Sequence, residues 1–493
     1  MQDSFLESKG PSVSSLFSRS AVLALARLTN YVVLLMSPIF LVRVLNIETY
    51  GQYREFVLYA LLAATLLSFS VGSNILYFVA KDPQRSPEYI GNSILFLLVS
   101  SVVGLAAVYL LRGLYLPYLS FDYSGVLVLY VFFFLNLDVL ESIWLATKQA
   151  RLVFIYSAAR TLVRMVAVVV AAVVAGDIET IIRTMIGVEA VKFVFLLIYM
   201  TRKGWLKPHF DVARAREQLQ FLAPLAIAAI VYNLSQRVGS IYVSTQLGAV
   251  ALAIYTTGVY QIPIIGIVRS AIADAIFPEM VERGAAGGED ALKNWRHANV
   301  ILVAIVLPVA AALIAHARPF VQTLFTSQYL AAAPIFQVAM LLMVRQCFEL
   351  GSPLRAGSAT RDFFRGNFYS LVINLVLVVV LVPEFGPIGA IVSLLLAEIY
   401  LAVYLARRVV RIYRISAKNL FSWRELSKIS LMALLSSPLL MAGYLITDSP
   451  VIAALLGGGL YLGWYALALR RLNIPEIERV YVHLSRALGA RIQ

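Results

Sequence analysis

Leu152-Val-Phe-Ile-Tyr-Ser-Ala-Ala-Arg160-Thr-Leu-Val-Arg164-Met-Val-Ala-Val-Val-Val-Ala-Ala-Val-Val-Ala175 decides the fold. About 20 mostly apolar residues suffice for one helix to cross a bilayer, so this stretch reads as a transmembrane helix. Its only charges are Arg160 and Arg164. A charge at mid-bilayer costs about 2.5–3.5 kcal/mol on insertion scales. Arginines kept at such a depth face protein or a watery cavity, where their planar forks suit phosphate or carboxylate.

The rest of the chain repeats the pattern. Of 493 residues, 60% are hydrophobic and 14% charged, against about 25% charged in soluble domains. Similar apolar runs lie near 20–45, 55–79, 91–112, 123–146, 152–175, 178–200, 218–246, 250–277, 298–317, 329–352, 367–383, 387–406, 428–446 and 450–469. The expected fold is an all-α polytopic membrane protein with about 14 transmembrane helices. Loops after even-numbered spans are basic, as at Lys81 and Arg85, or Arg202, Lys203 and Lys207. Loops after odd-numbered spans hold few cations, among them Arg43 and Arg54, beside Glu48, Asp122, Asp177 and Asp448. The positive-inside rule then puts both termini in the cytoplasm. The net charge of +14 resides in these loops rather than on one face of a soluble domain, so nucleic acid is not an expected partner.

Two strings suggest a duplication: Leu45-Asn-Ile-Glu-Thr-Tyr-Gly-Gln-Tyr53 after the first span and Leu247-Gly-Ala-Val-Ala-Leu-Ala-Ile-Tyr255 after the seventh. The expected organisation is a cytoplasmic segment 1–19, an N-lobe of six spans (20–200), a linker 201–217, and a C-lobe of six spans (218–406). A basic loop 407–427, two further spans (428–469) and a cytoplasmic tail 470–493 complete it. The stretch 407–428 is either an interfacial helix on anionic lipid or an ordinary basic loop. The tail reads as a short surface helix from Pro475.

Six arginines fall inside spans: Arg27, Arg160, Arg164, Arg237, Arg269 and Arg345. Six acids lie there too: Asp138, Glu141, Glu189, Asp274, Glu349 and Glu398. Some must neutralise arginines; others are candidates to carry a proton or bind Na⁺. Glu189 has Lys192 three residues on, and Arg345 has Glu349 four residues on, both pairing distances on a helix. Asp138 and Glu141 share a helix face, which favours one held proton or cation. The alternative is pairing with arginines of other helices. Pro38, Pro224, Pro263, Gly266 and Pro308 are either hinges or static kinks. Cys347, the single cysteine, reads as a packing residue and excludes an internal disulfide and a cysteine metal cluster. His209, His297, His316 and His483 lack catalytic spacing, and no phosphate-binding Gly-x-x-x-x-Gly-Lys loop occurs, so neither an enzyme nor an ATP-driven pump is expected. No metal or cofactor is expected beyond an H⁺ or Na⁺ gradient.

Further motifs run in order along the chain: Leu41-Val-Arg-Val-Leu45 with Glu48-Thr-Tyr-Gly-Gln-Tyr53, Ala223-Pro224, Gln246-Leu-Gly248, Ile276-Phe-Pro-Glu-Met280, Leu324-Phe-Thr-Ser-Gln-Tyr-Leu330 and Val382-Pro-Glu-Phe-Gly-Pro-Ile-Gly-Ala390. In this the chain resembles the Wzx-type oligosaccharidyl-lipid flippases, polysaccharide transporters of the MOP (MATE-like) superfamily. It departs from them at Ser235-Gln236-Arg237, where an aspartate often precedes the basic residue. The resemblance implies two six-helix lobes working by alternating access. The cargo would be an undecaprenyl-diphosphate-linked oligosaccharide, moved from the cytoplasmic to the periplasmic leaflet of a bacterial inner membrane for exopolysaccharide, O-antigen or capsule synthesis. Polymerases and other assembly proteins would be partners. Alternatives are a multidrug or lipid II type exporter of the same superfamily, or a non-transporting subunit of a polysaccharide synthesis complex. Under this reading Arg160 and Arg164, one turn apart, bracket the diphosphate or else snorkel to headgroups. Arg27 and Arg269 join them from the cytoplasmic half, Arg237 serves release or structure, and Arg345 pairs with Glu349 or forms a gate. Tyr232, Tyr255 and Tyr260 are candidates to stack on sugar rings.

Overall fold

The computed structural model describes residues 33, 36–115, 117, 119–120, 122–135, 138–205, 211–260, 262, 266, 276–277, 279–284, 288–472, 474–475 and 477–478. Among these every regular element is helical. Eleven helical stretches are long and apolar enough to cross a membrane. They coincide with the expected spans other than the first, sixth and eighth. The sixth is a 25-residue helix, Ile178–Arg202, with charges along its length. The first falls largely, and the eighth in part, outside the described residues.

The chain divides into two compact units, Met1–Ile230 and Val231–Gln493. After a helical stretch over 36–44, the first unit contains α1 (Ile47–Ser68), α2 (Val71–Lys81), α3 (Ser86–Leu110), α4 (Ser124–Leu135), α5 (Asp138–Ala146), α6 (Ala150–Val174) and α7 (Ile178–Arg202). Helix α8 (Val212–Gly258) begins in the first unit and ends in the second. The second unit continues through α9 (Lys293–Ala315), α10 (Ala317–Phe325), α11 (Ala333–Arg345), α12 (Gly351–Ala356), α13 (Thr360–Phe385), α14 (Pro387–Ile412), α15 (Trp423–Ser436) and α16 (Pro450–Arg470).

Helix α6 shows why such sequences fold as they do. Its valines at 163, 166, 170 and 173 are exposed, while Arg160 and Arg164 turn inward. That inverts the pattern of a soluble helix, because here the solvent outside is lipid. Starts and breaks are local chemistry. The Asn46 side chain accepts a hydrogen bond from the Thr49 N–H at 2.8 Å and opens α1. Asp177 does the same for α7 through Thr180 N–H at 2.8 Å, which holds its carboxyl below the usual carboxylate range.

The two matched strings behave alike. The helix break falls at their second residue, Asn46 in one and Gly248 (φ 81°) in the other. A further break interrupts the second span. Phe69 and Ser70, neither of them glycine, adopt left-handed φ of 45° and 57° between α1 and α2. Each costs about 1–2 kcal/mol relative to a right-handed turn. The Leu67 carbonyl near this break accepts the Ser100 hydroxyl at 2.7 Å.

The basic stretch 407–428 is not one interfacial helix. It divides into the end of α14, a short turn and the start of α15. Ile415, Leu420 and Phe421 are buried, and Phe421 packs on Trp295 at 5.4 Å. These apolar residues complete the second unit's core rather than enter lipid. Cys347 is buried, as a packing residue should be. The tail beyond 478 lies outside the described residues.

Candidate functional site

Within the first unit lies a cavity of about 340 Å³. Helix α1 gives it Tyr53, Arg54, Val57 and Leu61, a single helical face. Helix α6 gives Arg160, Thr161, Arg164 and Val168, again one face, and α7 gives Glu189 and Lys192. Four cations therefore meet one carboxylate. The pairing is incomplete. Lys192 Nζ donates to Glu189 Oε1 at 3.0 Å, and Arg164 Nη1 lies 4.0 Å from the same oxygen. Glu189 is 1% exposed, yet its Oε2 finds no hydrogen-bond partner among the described residues. The buried Nε of Arg54 finds none either. Arg160 pairs with Glu141 of α5 at 3.2 Å. Counting Glu141, four cations face two carboxylates. Arg164 also sits 5.7 Å from the ring centroids of Tyr130 and Phe134, whose faces favour a cation. The cavity wall thus carries more cations than carboxylates.

A second cavity of about 620 Å³ adjoins it, sharing Leu61, Phe134 and Arg160 as wall. Its character is different. Thr65, Ser68, Ser70, Ser73 and Ser142 bring hydroxyls around the α1–α2 break, and the Glu141–Arg160 pair spans its boundary with the first.

The second unit treats its buried charge in another way. Arg345, at the end of α11, donates from Nε to the Glu398 carbonyl at 2.9 Å and approaches Glu398 Oε2 at 2.6 Å. Gln236 Nε2 donates to Glu398 Oε1 at 2.9 Å. Both carboxylate oxygens are thus used.

The sequence candidates scatter accordingly. Arg160 and Arg164 share the cationic cavity as the spacing implied. Glu189 pairs with Lys192, also as expected. Glu141 pairs with Arg160 of another helix; the side chain of Asp138, its proposed partner in holding a proton, lies outside the described residues. Arg345 does not pair with Glu349: α11 ends at Arg345, so the fourth residue on has left the helix. The Glu349 carboxylate instead accepts the Ser352 N–H at 3.0 Å from Oε1 and 3.1 Å from Oε2, at the start of α12. Arg237 lies on α8 in the second unit. Arg27, Arg269 and Asp274 are outside the described residues. Tyr255 is buried core, Tyr260 packs edge-on to Phe325 at 5.1 Å, and Tyr232 is half exposed; none lines either cavity. Arg54, expected in a loop, is in α1 and is a cavity residue the sequence reading missed. A signal existed: Tyr50, Tyr53, Arg54 and Val57 keep helical spacing. Glu55 beside it, also missed, is fully buried and accepts the Ser120 N–H at 3.1 Å.

Residues 17–283, just over half of the chain, match the family model described as polysaccharide biosynthesis protein. The chain belongs to that family. Similarity to solved structures extends beyond the match. A lipid II flippase MurJ in an inward closed conformation aligns with a TM-score of 0.71 at 14% identity, over 92% of this chain and 99% of that one. An inward-facing multidrug resistance MATE transporter of the MOP superfamily gives 0.57 at 12%, over 80% and 99%. A MOP superfamily transporter from Pyrococcus furiosus, described by the reverse polarity of its binding pocket, gives 0.52 at 14%, over 80% and 96%. No curated protein sequence matches. These likenesses establish a MOP-type transporter fold for this member of the polysaccharide biosynthesis family.

Proposed function

We propose that this protein flips an undecaprenyl-diphosphate-linked oligosaccharide repeat unit from the cytoplasmic to the periplasmic leaflet of a bacterial inner membrane, by alternating access. The supporting observation is the cationic cavity. A diphosphate carries spread negative charge on paired oxygens, and two guanidinium forks one turn apart, with Arg54 and Lys192 lining the same cavity, suit it. Membership of a polysaccharide biosynthesis family and the MurJ-like fold support a lipid-linked sugar as cargo. A multidrug exporter of cations is disfavoured by the surplus of positive charge. The protein acts as a transporter rather than an enzyme, with both termini cytoplasmic and with membrane lipids and polysaccharide-assembly proteins as its surroundings.

Coupling to an H⁺ or Na⁺ gradient belongs to the same proposal. Glu189, with one oxygen held by Lys192 and the other unpartnered, is the carboxylate that exchanges an ion against cargo.

The test is flipping of lipid-linked oligosaccharide in proteoliposomes. Arg160→Ala combined with Arg164→Ala is expected to lower the rate at least 100-fold, on the order of 3 kcal/mol for two charge-assisted contacts. Membrane insertion and detergent-extracted yield should be unchanged. A double variant flipping at the wild-type rate would sink the diphosphate role.

A further inference from the structure

The hydroxyl-lined cavity lies beside the cationic one. Three of its side chains differ from hydroxyls that are satisfied on their own helix, and unlike Ser101, Thr257 and Ser436, unbonded among the described residues, they line this cavity. Thr65, Thr161, Thr184, Thr201 and Ser93 each donate to the carbonyl four residues back, at 2.7–2.9 Å. That back-bonding is how a hydroxyl is satisfied on a helix in lipid. Ser68, Ser70 and Ser73 do not back-bond, and among the described residues their hydroxyls make no hydrogen bond. Ser68 closes α1, and for Ser70 and Ser73 the helical frame four residues back is interrupted by the left-handed Phe69 and Ser70. Strain that frees polar groups at a cavity wall is a feature of binding sites.

The chemistry of the cavity narrows its ligand. Its carboxylate, Glu141, is already compensated by Arg160 at 3.2 Å, so no net negative charge awaits a cation. Its volume, about 620 Å³, lies in the range of organic-ligand pockets and far exceeds the roughly 30 Å³ share of a single water. Free hydroxyls, an apolar wall at Phe134 and Val139, and neutral charge suit a polyhydroxylated ring. The shared Arg160 puts that ring directly beside a bound anion.

We propose that the cavity at the α1–α2 break is a sugar subsite. It takes the saccharide attached to the diphosphate, through Ser68, Ser70 and Ser73, while the diphosphate occupies the neighbouring cationic cavity. The inference rests on the proposed diphosphate cargo and adds the residues that read its first sugar. It makes the α1–α2 break the specificity element of the protein.

The experiment measures binding of two probes to the full chain in nanodiscs: undecaprenyl diphosphate, and undecaprenyl diphosphate bearing one N-acetylglucosamine or one galactose. The wild type is expected to bind at least one sugar-bearing probe about tenfold more tightly than the bare diphosphate. The triple variant Ser68→Ala, Ser70→Ala, Ser73→Ala should bind bare diphosphate as the wild type does and lose that increment. Gly72→Ala, whose methyl would lie 2.9 Å from Ser142 Oγ inside the cavity, should reduce the increment with all three serines present. A wild type that binds all probes equally overturns the subsite and leaves the diphosphate reading intact. An increment that survives the triple substitution overturns it too, as does one replaced by a change in Na⁺ dependence alone. A wild type that binds no diphosphate lipid overturns the proposed function itself, and the subsite with it.

Discussion

Glu189 and Glu398 occupy the same place in two helices, the twelfth residue of α7 and the twelfth of α14. Both are buried, at 1% and 7% exposure, and both lie near arginine. Their surroundings differ. Glu398 is saturated: Gln236 holds one oxygen, Arg345 the other, and Arg345 also binds its carbonyl. Glu189 is half used and faces a cavity that holds more cations than carboxylates. A buried ion pair whose every atom is matched fixes structure; one left partly open in a cavity is available to a ligand. The comparison teaches that a charge inside a span does not announce its role. What decides is how many of its bonds the protein itself has already made.

The largest effect should come from breaking the saturated pair. Arg345→Met leaves Glu398 buried and uncompensated, which costs about 3–5 kcal/mol in comparable buried pairs. Adding Glu398→Met should recover most of that loss, since both charges then leave together. Thermal unfolding of the purified single and double variants measures both. If the double variant is no more stable than the single, Glu398 is not the lock described here.

Glu189→Gln should show the opposite balance. Transport in proteoliposomes is expected to fall at least tenfold and to lose its dependence on an imposed ion gradient, while stability drops by far less than in Arg345→Met. Equal stability losses in the two variants would erase the distinction between the two glutamates. Glu141→Gln sharpens the same point with a smaller change. It releases Arg160 from its 3.2 Å partner, though both groups are a quarter to a third exposed and so partly screened. Affinity for a diphosphate lipid should rise about threefold, and turnover should slow because release becomes harder.

How much of this was legible beforehand follows from the kinds of signal involved. Arg160 and Arg164 stood out because nothing else in their span is charged. Arg54 did not, because Glu48, Gln52 and Glu55 around it give the start of α1 the look of a loop. The Arg345–Glu349 spacing suggested a pair, but that rule needs an unbroken helix, and α11 stops at Arg345. The true partner lies 53 residues further on, a tertiary fact. The α1–α2 break left no trace either: Phe69 and Ser70 are not residues whose presence implies a left-handed turn. The overall helical design was readable because lipid demands long apolar runs; the sites were not, because they depend on which helices meet.

The smallest expected effect lies at the starts of the same two helices. Helix α7 opens on Asp177, whose carboxylate caps Thr180 N–H; α14 opens on Gly386 and Pro387 with no side-chain cap. Only the first start is titratable. Because the cap holds the Asp177 pKa below its ordinary value of 3.8, its stabilisation is fully present above that value and is lost as pH falls through the lowered one. Asp177→Ala should therefore melt about 1–2 °C below the wild type at neutral pH, the scale of one exposed cap in a long chain. The two curves should converge as the pH falls through that lowered value. A gap that persists undiminished in acid would mean that α7 is held at its start by something other than the charge of Asp177, and the contrast between the two helices would then be confined to Glu189 and Glu398.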